Sequence, residues 1–214
     1  MKPQDLTEFG IENRTYSIEE WQAIEERTGE KFEYYDGRLV HWQMMAGGTI
    51  EHSTISANAS YVLGVGVRLR EQAKPKASLC NVHTSDLQLK LAEGRQYVYP
   101  DAAVVCGDPV YDANVPTAIR NPVIVVEVVS PSSARFDSGK KFHHYASLDS
   151  LREYVLIEQD DLSVEVRSRK EPGGPWQITF YEGRETVVPL PALDIELPMV
   201  ELYRGVSFEW ENEV

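Results

Sequence analysis

The stretch Val123-Ile-Val-Val-Glu127-Val-Val129 constrains this chain more than any other segment. Glu127 apart, it holds only β-branched apolar side chains, the pattern of a strand covered on both faces. That pattern needs a sheet with layers on each side. A carboxylate left unpaired in such a strand costs several kcal/mol, so Glu127 must be protonated, ion-paired or bound to a metal. The same problem arises at Asp101, where Tyr99-Pro100-Asp101 opens the apolar run Ala102-Ala-Val-Val-Cys106. Proline is tolerated at the first residue of a strand, which puts Asp101 near the strand's start.

If these strands are neighbours with Asp101 and Glu127 on one face, two carboxylates about 4 Å apart repel by roughly 4 kcal/mol at an effective dielectric of about 20. A shared proton or a divalent cation relieves that repulsion. Mg²⁺ suits the pair, because it takes one or two carboxylates, keeps several waters and leaves room for a phosphate oxygen. The bland reading is a turn-capping aspartate and a glutamate paired with a core arginine. For Asp101 alone that reading is favoured; for the two together, the site is. Beyond Ser130-Pro131 comes a basic helix start with Asp137, Lys140 and Lys141. Cations at a helix N-terminus oppose the macrodipole, so these lysines serve an anion, the carboxylates or a solvated patch.

The remaining pattern predicts how these residues are carried. Ser17-Ile-Glu-Glu20 is a capping box for a helix to about residue 28. Asp36-Gly37 between aromatic runs predicts a hairpin. Apolar residues at three- and four-residue steps predict one long helix over 53–73, with Gly64 and Gly66 explained by close packing. Strands are expected over 78–82, 86–91, 97–106, 123–130, 153–159 and 163–169, a helix over 136–148, and further hairpin strands from 173 onward. Cys80 and Cys106 are expected to be buried free thiols.

Composition narrows the function. The 214 residues, 42% of them apolar, fit one soluble domain, and a net charge of −13 argues against indiscriminate binding to nucleic acid or anionic membrane. The excess sits in the flanks: residues 1–36 carry 4 Lys+Arg against 10 Asp+Glu, residues 171–214 carry 2 against 9, and 37–170 carry 15 of each. The longest run free of polar side chains is far short of the ~20 apolar residues of a membrane span. The N-terminal segment has no basic-then-apolar pattern of a secretory signal, so a cytoplasmic protein is expected. No Gly-x-Ser-x-Gly supports a serine hydrolase, and His143-His144 lacks zinc spacing.

Taken together, Pro100-Asp101, Glu127-Val-Val-Ser-Pro-Ser-Ser133, Asp137-Ser-Gly-Lys-Lys141, Tyr145 and Leu151-Arg-Glu-Tyr154 resemble the Uma-two family of endonucleases, over about 32–203. That family is similar to the restriction-endonuclease-like, PD-(D/E)xK superfamily. The resemblance implies an α/β (α+β) fold in a single domain of 1–214: a mixed central β-sheet flanked by helices, with an added N-terminal helix and hairpin. The nuclease-like core would span about 32–170, a C-terminal β extension about 171–205 and an acidic tail 206–214.

It also implies a Mg²⁺-dependent phosphodiester hydrolase, with Mn²⁺ able to substitute, acting on nucleic acid, DNA foremost, as a homodimer. Asp101, Glu127 and the backbone carbonyl of Val128 would hold the metal. Val129 stands where the superfamily has its lysine, so Lys141 from the following helix, with Lys140 as its neighbour, would supply the positive charge. Glu33, His52, Asp86 and Tyr145 match family positions as secondary candidates. The rival readings are an inactive nucleic-acid-binding or regulatory module of the same fold, and a metal-dependent hydrolase of a smaller phosphoester.

Overall fold

A computed structural model describes residues 6–41, 49–91, 94–130 and 137–208. Its first long element, α1 (Ile18–Thr28), starts with the expected capping box: Ser17 Oγ accepts from the Glu20 amide at 3.2 Å, and the Glu20 carboxylate accepts from the Ser17 amide at 2.8 Å. The hairpin of β1 (Phe32–Tyr35) and β2 (Arg38–His41) turns through Asp36 and Gly37 at φ 50° and 97°. A Cβ on Gly37 would also lie 3.2 Å from Thr15 Cβ, so glycine is required there twice over. Phe32 and Tyr34 pack with Trp21 of α1, so the alternation of a strand turns Glu33 and Tyr35 the other way. Glu33 is thereby carried to the candidate site.

The long helix α2 (Ile50–Ala73) leads into β3 (Cys80–Thr84). The strand expected over 97–106 is two strands, β5 (Gln96–Val98) and β6 (Ala102–Cys106), which lie in different sheets. Pro100 between them has no N–H for a ladder, and the break leaves Asp101 at the entrance to β6. β5 and the short β4 (Leu89–Lys90) join the hairpin in a four-stranded sheet, β2-β1-β5-β4. β7 (Pro122–Val129), β8 (Glu153–Glu158), β9 (Ser163–Ser168) and β10 (Gln177–Glu182) complete the central six-stranded sheet in the order β10-β9-β8-β7-β6-β3.

Only β7 and β8 of that sheet run parallel, so the sheet is mixed. A parallel neighbour demands a crossover. Here it carries a π-helical turn (Asp137–Lys141) followed directly by α3 (Phe142–Ala146), where a regular helix over 136–148 was expected. Residue 136 and the Pro131-Ser-Ser133 part of the motif lie outside the described residues.

Both faces of β7 are covered. Ile124, Val126 and Val128 pack with Ile55, Ala59 and Leu63 of α2 and with the ribbon of β11 (Val187–Leu190) and β12 (Ile195–Pro198). Val125 and Val129 pack with Tyr145, Leu148 and Leu151 of the crossover. Each fully buried aliphatic contributes roughly 1.5–3 kcal/mol. By parity Glu127 belongs to the crossover face. Close packing accounts for Gly66, where a Cβ would meet Ile195 Cβ at 3.2 Å, but not for Gly64, which has nothing within 4 Å.

One expectation is overturned. Cys80 and Cys106 are joined in a disulfide, because antiparallel pairing of β3 with β6 sets them directly opposite. Spacing alone could not reveal that register. Among the described residues no helix is long and apolar enough to cross a membrane.

Candidate active site

The pairing of β6 with β7 runs through Ala103–Val125 and Ala102–Val126; continued one step, the same register sets Asp101 opposite Glu127. The ladder ends there, and side-chain contacts take over. Asp101 Oδ2 accepts the backbone N–H of Val128 at 2.7 Å, and Oδ1 accepts the Ser56 hydroxyl at 3.2 Å. His52 Nε2 lies 3.3 Å from the same Oδ1. Both partners come from the start of α2, where Thr49 is the N-cap and its hydroxyl accepts the His52 N–H at 3.1 Å. His52 and Ser56, one helical turn apart, therefore share a face.

Glu127 is held from the crossover. Lys141 Nζ lies 2.9 Å from Glu127 Oε1, and the Tyr145 hydroxyl donates to that oxygen at 2.9 Å. Lys141 also lies 3.3 Å from Glu33 Oε1, which ties β1 to β7. Glu33 in turn accepts the Tyr35 hydroxyl at 2.7 Å and the Tyr99 N–H at 3.4 Å. Glu33, Asp101, Glu127 and Lys141 are each at most 5% exposed. Burial, and then the adjoining Glu127, pushes the Tyr145 phenol well above its ordinary pKa. Burial and Glu33 do the same to Tyr35. Both phenols are thus fixed as donors throughout the neutral range.

The crossover that presents Lys141 and Tyr145 is itself anchored. Arg169, on the strand side, donates to the carbonyls of Leu151 at 2.9 Å, Ala146 at 3.0 Å and Leu148. A cation on the last carbonyls of a helix complements its dipole. Its guanidinium also lies 4.6 Å from the centre of the Trp176 ring.

The structure thus brings together Asp101, Glu127, Lys141, Tyr145, Glu33 and His52. It does not bring Asp86, whose carboxylate is exposed and paired with Lys31. Lys140 is exposed where Lys141 is buried, which separates the two neighbours. Of Val128, the group seen in the site is the amide. Sequence reasoning missed Tyr35 and Ser56. Each carried a signal, Tyr35 by sharing a strand face with Glu33 and Ser56 by standing one turn beyond His52.

Among the described residues no group of three or more His, Cys, Asp or Glu side chains is placed to hold a metal ion. What is present is an open set of carboxylate oxygens. Two carboxylates, Glu33 and Glu127, face the Lys141 ammonium, and the β6–β7 register sets the buried Asp101 carboxylate opposite Glu127. A hard dication that takes one or two carboxylates and keeps most of its waters fits that donor set.

Known proteins bear on this geometry. The Uma2 family, described as "Putative restriction endonuclease", matches residues 18–200. "Uncharacterized protein slr1290" of Synechocystis sp. is 31% identical over 192 residues, covering 90% of this chain and 93% of that protein. "Uncharacterized protein sll1609" of the same organism is 30% identical over 176 residues, covering 82% and 93%. The crystal structure of "a putative nuclease belonging to DUF820" from Anabaena variabilis shares the fold with a TM-score of 0.57 at 18% identity, covering 82% of this chain and 91% of that one. A mixed sheet with this crossover, and a family match across most of its length, lead to one conclusion: the chain belongs to the Uma2 family.

Proposed function

We propose that this protein is a Mg²⁺-dependent endonuclease that hydrolyses phosphodiester bonds of DNA, with Mn²⁺ able to replace Mg²⁺. The observation that carries the reading is the seating of Lys141 between Glu127 and Glu33, beside an Asp101 anchored on the Val128 amide. A buried ammonium and three buried carboxylates are costly to assemble for stability alone. They suit a reaction in which charge builds up on phosphate oxygens.

Asp101 and Glu127 would hold the cation, together with the Val128 carbonyl. The cation, when bound, supplies Lewis acidity toward a phosphate oxygen and lowers the pKa of an attacking water. Lys141 orients that water or offsets charge on the pentacoordinate phosphorus. Glu33 and Tyr35 fix Lys141 in place, and Tyr145 fixes Glu127. The exposed Lys140 and the basic residues Arg68, Arg70, Lys74 and Lys76 are the proposed contacts to the polyanion. A DNA substrate, a homodimer and a cytoplasmic location belong to the same proposal.

Cleavage of supercoiled plasmid, single-stranded oligonucleotide and mononucleotide, with Mg²⁺ and with chelator, tests it. Metal-dependent nicking that disappears in Asp101→Asn and in Lys141→Ala is expected. Turnover of the mononucleotide alone would identify the small-phosphoester hydrolase instead. Wild-type cutting by Asp101→Asn would end the assignment.

A further inference from the structure

We propose that the Cys80–Cys106 bond is a thiol–disulfide exchange site for a dithiol reductant, in which the incoming thiolate attacks Cys106 Sγ and Cys80 leaves as a thiolate held by Arg70. The inference is independent of the metal site and the substrate proposed above, and its test does not read cleavage.

The two sulfurs stand in different surroundings. Cys80 opens β3, is 6% exposed and belongs to the core, whereas Cys106 ends β6 and is partly exposed. Gly107, the next residue, has φ 72° and open space where a Cβ would stand, so no side chain of its own crowds the approach to Cys106. Leu79, whose carbonyl accepts the Gly107 N–H at 2.8 Å, is 70% exposed and gives the bond an apolar rim. A cation lies at Cys80. Arg70 Nη1 donates to Cys80 Sγ at 3.7 Å and to the Ser78 carbonyl at 3.2 Å, which fixes the guanidinium in place. Glu71, its neighbour on α2, has its carboxylate engaged by the Cys80 N–H at 3.0 Å.

These differences set the direction of exchange. Which sulfur is attacked depends on access, and a more acidic thiol departs faster. A neighbouring arginine makes a thiol more acidic. Access favours attack on Cys106 and Arg70 favours departure of Cys80, so both effects point the same way. In the first step the reductant's thiolate bonds to Cys106 Sγ as the Sγ–Sγ bond breaks, and the electron pair of that bond goes to Cys80. In the second, the reductant's other thiol attacks its own partner sulfur in the mixed disulfide and releases Cys106. Two electrons and two protons pass to the cysteine pair, and the reductant becomes a disulfide. The exchange reverses without refolding, because four further residue pairs, from Asn81–Val105 to Thr84–Ala102, keep β3 in register with β6. Exposed bonds are the labile and regulatory ones, whereas shielded bonds resist reduction.

Trapping on the full-length oxidised protein reads the direction. The probe is a Cys-x-x-Cys dithiol protein whose second cysteine is replaced by serine, so that exchange stops at the mixed disulfide; acid quenching and peptide mass spectrometry then locate the adduct. An adduct on Cys106 is expected, with Cys80 free and open to alkylation. With the intact dithiol, reduction in native buffer is expected to slow by about 3–10-fold in Arg70→Gln, for a leaving thiol one or two pKa units less acidic at a Brønsted slope of about 0.5. An adduct on Cys80, or equal adducts on both cysteines, overturns the assignment, as does an unchanged rate in Arg70→Gln. Reduction that proceeds only in urea makes the bond a structural staple and overturns the exchange site altogether. Should Arg70→Gln fail to fold, the wild-type trap still decides which sulfur is attacked.

Discussion

Replacing Lys141 by methionine keeps the unbranched stem, one atom shorter, and removes its charge. In the native structure the ammonium lies 2.9 Å from Glu127 and 3.3 Å from Glu33, with all three groups buried. At an effective dielectric of about 20 these contacts are worth about 6 and about 5 kcal/mol of Coulomb attraction. Desolvating three charges offsets most of that gain, so the sum is not the net effect. Removing one partner from a buried pair costs about 3–5 kcal/mol, because the remaining charge stays buried. Lys141→Met is therefore expected to lose about 3–5 kcal/mol, or roughly 6–20 °C in melting temperature for a chain of this size. Urea denaturation at neutral pH measures it, at low and high salt, since buried pairs are little screened. Adding Glu127→Gln should restore part of the loss. A loss below about 1 kcal/mol, as for an exposed pair, would refute the buried ion-pair reasoning.

Tyr145→Phe removes the hydroxyl that Glu127 accepts at 2.9 Å and is expected to cost about 1.5–3 kcal/mol in denaturation, the range for hydrogen bonds to charged groups. Glu153 lies away from the site on the opposite sheet face; burial raises its carboxyl pKa to about 7, although the Ala192 amide donates to it at 3.0 Å. A folded-state pKa above the unfolded value means stability is fully present below about pH 4.3 and is lost as pH rises through 7. Stability should thus drop by about 3–4 kcal/mol toward pH 8, and Glu153→Gln should flatten that slope. Reducing the Cys80–Cys106 bond, which closes a separation of 26 residues, is expected to lower stability by about 3.5 kcal/mol in the chain-entropy account. Paired denaturation with and without dithiothreitol checks it. Such bonds are rare in reducing compartments, so thiol titration of protein released under alkylating conditions also tests the proposed cytoplasmic location.

Much of the site is legible in the sequence because charge in an apolar strand is anomalous. Glu127 among valines and Asp101 after Pro100 each break a pattern whose physical meaning is burial. Lys141 is legible for a related reason, as a cation at the wrong end of a helix. Other parts depend on register and backbone. Tyr35 reads as one more hairpin aromatic until β1 is seen to turn its Glu33 face toward the crossover. The Val128 amide has no side-chain signal, since any residue there carries one. The division of 97–106 into two sheets follows from Pro100, but apolar alternation on either side hides it. In β10 the residues alternate as in a free hairpin, yet β10 extends the central sheet through β9. The π-helical turn before α3 leaves no trace in periodicity over so few residues.

In the proposed function Asp101 and Glu127 hold a cation beside Lys141. A crystal soaked with Mn²⁺ and measured at the manganese absorption edge tests it most directly. An anomalous peak is expected within bonding distance of Asp101 and Glu127, with Lys141 still against Glu127. No peak there, or one bound elsewhere with these carboxylates apart, would contradict it.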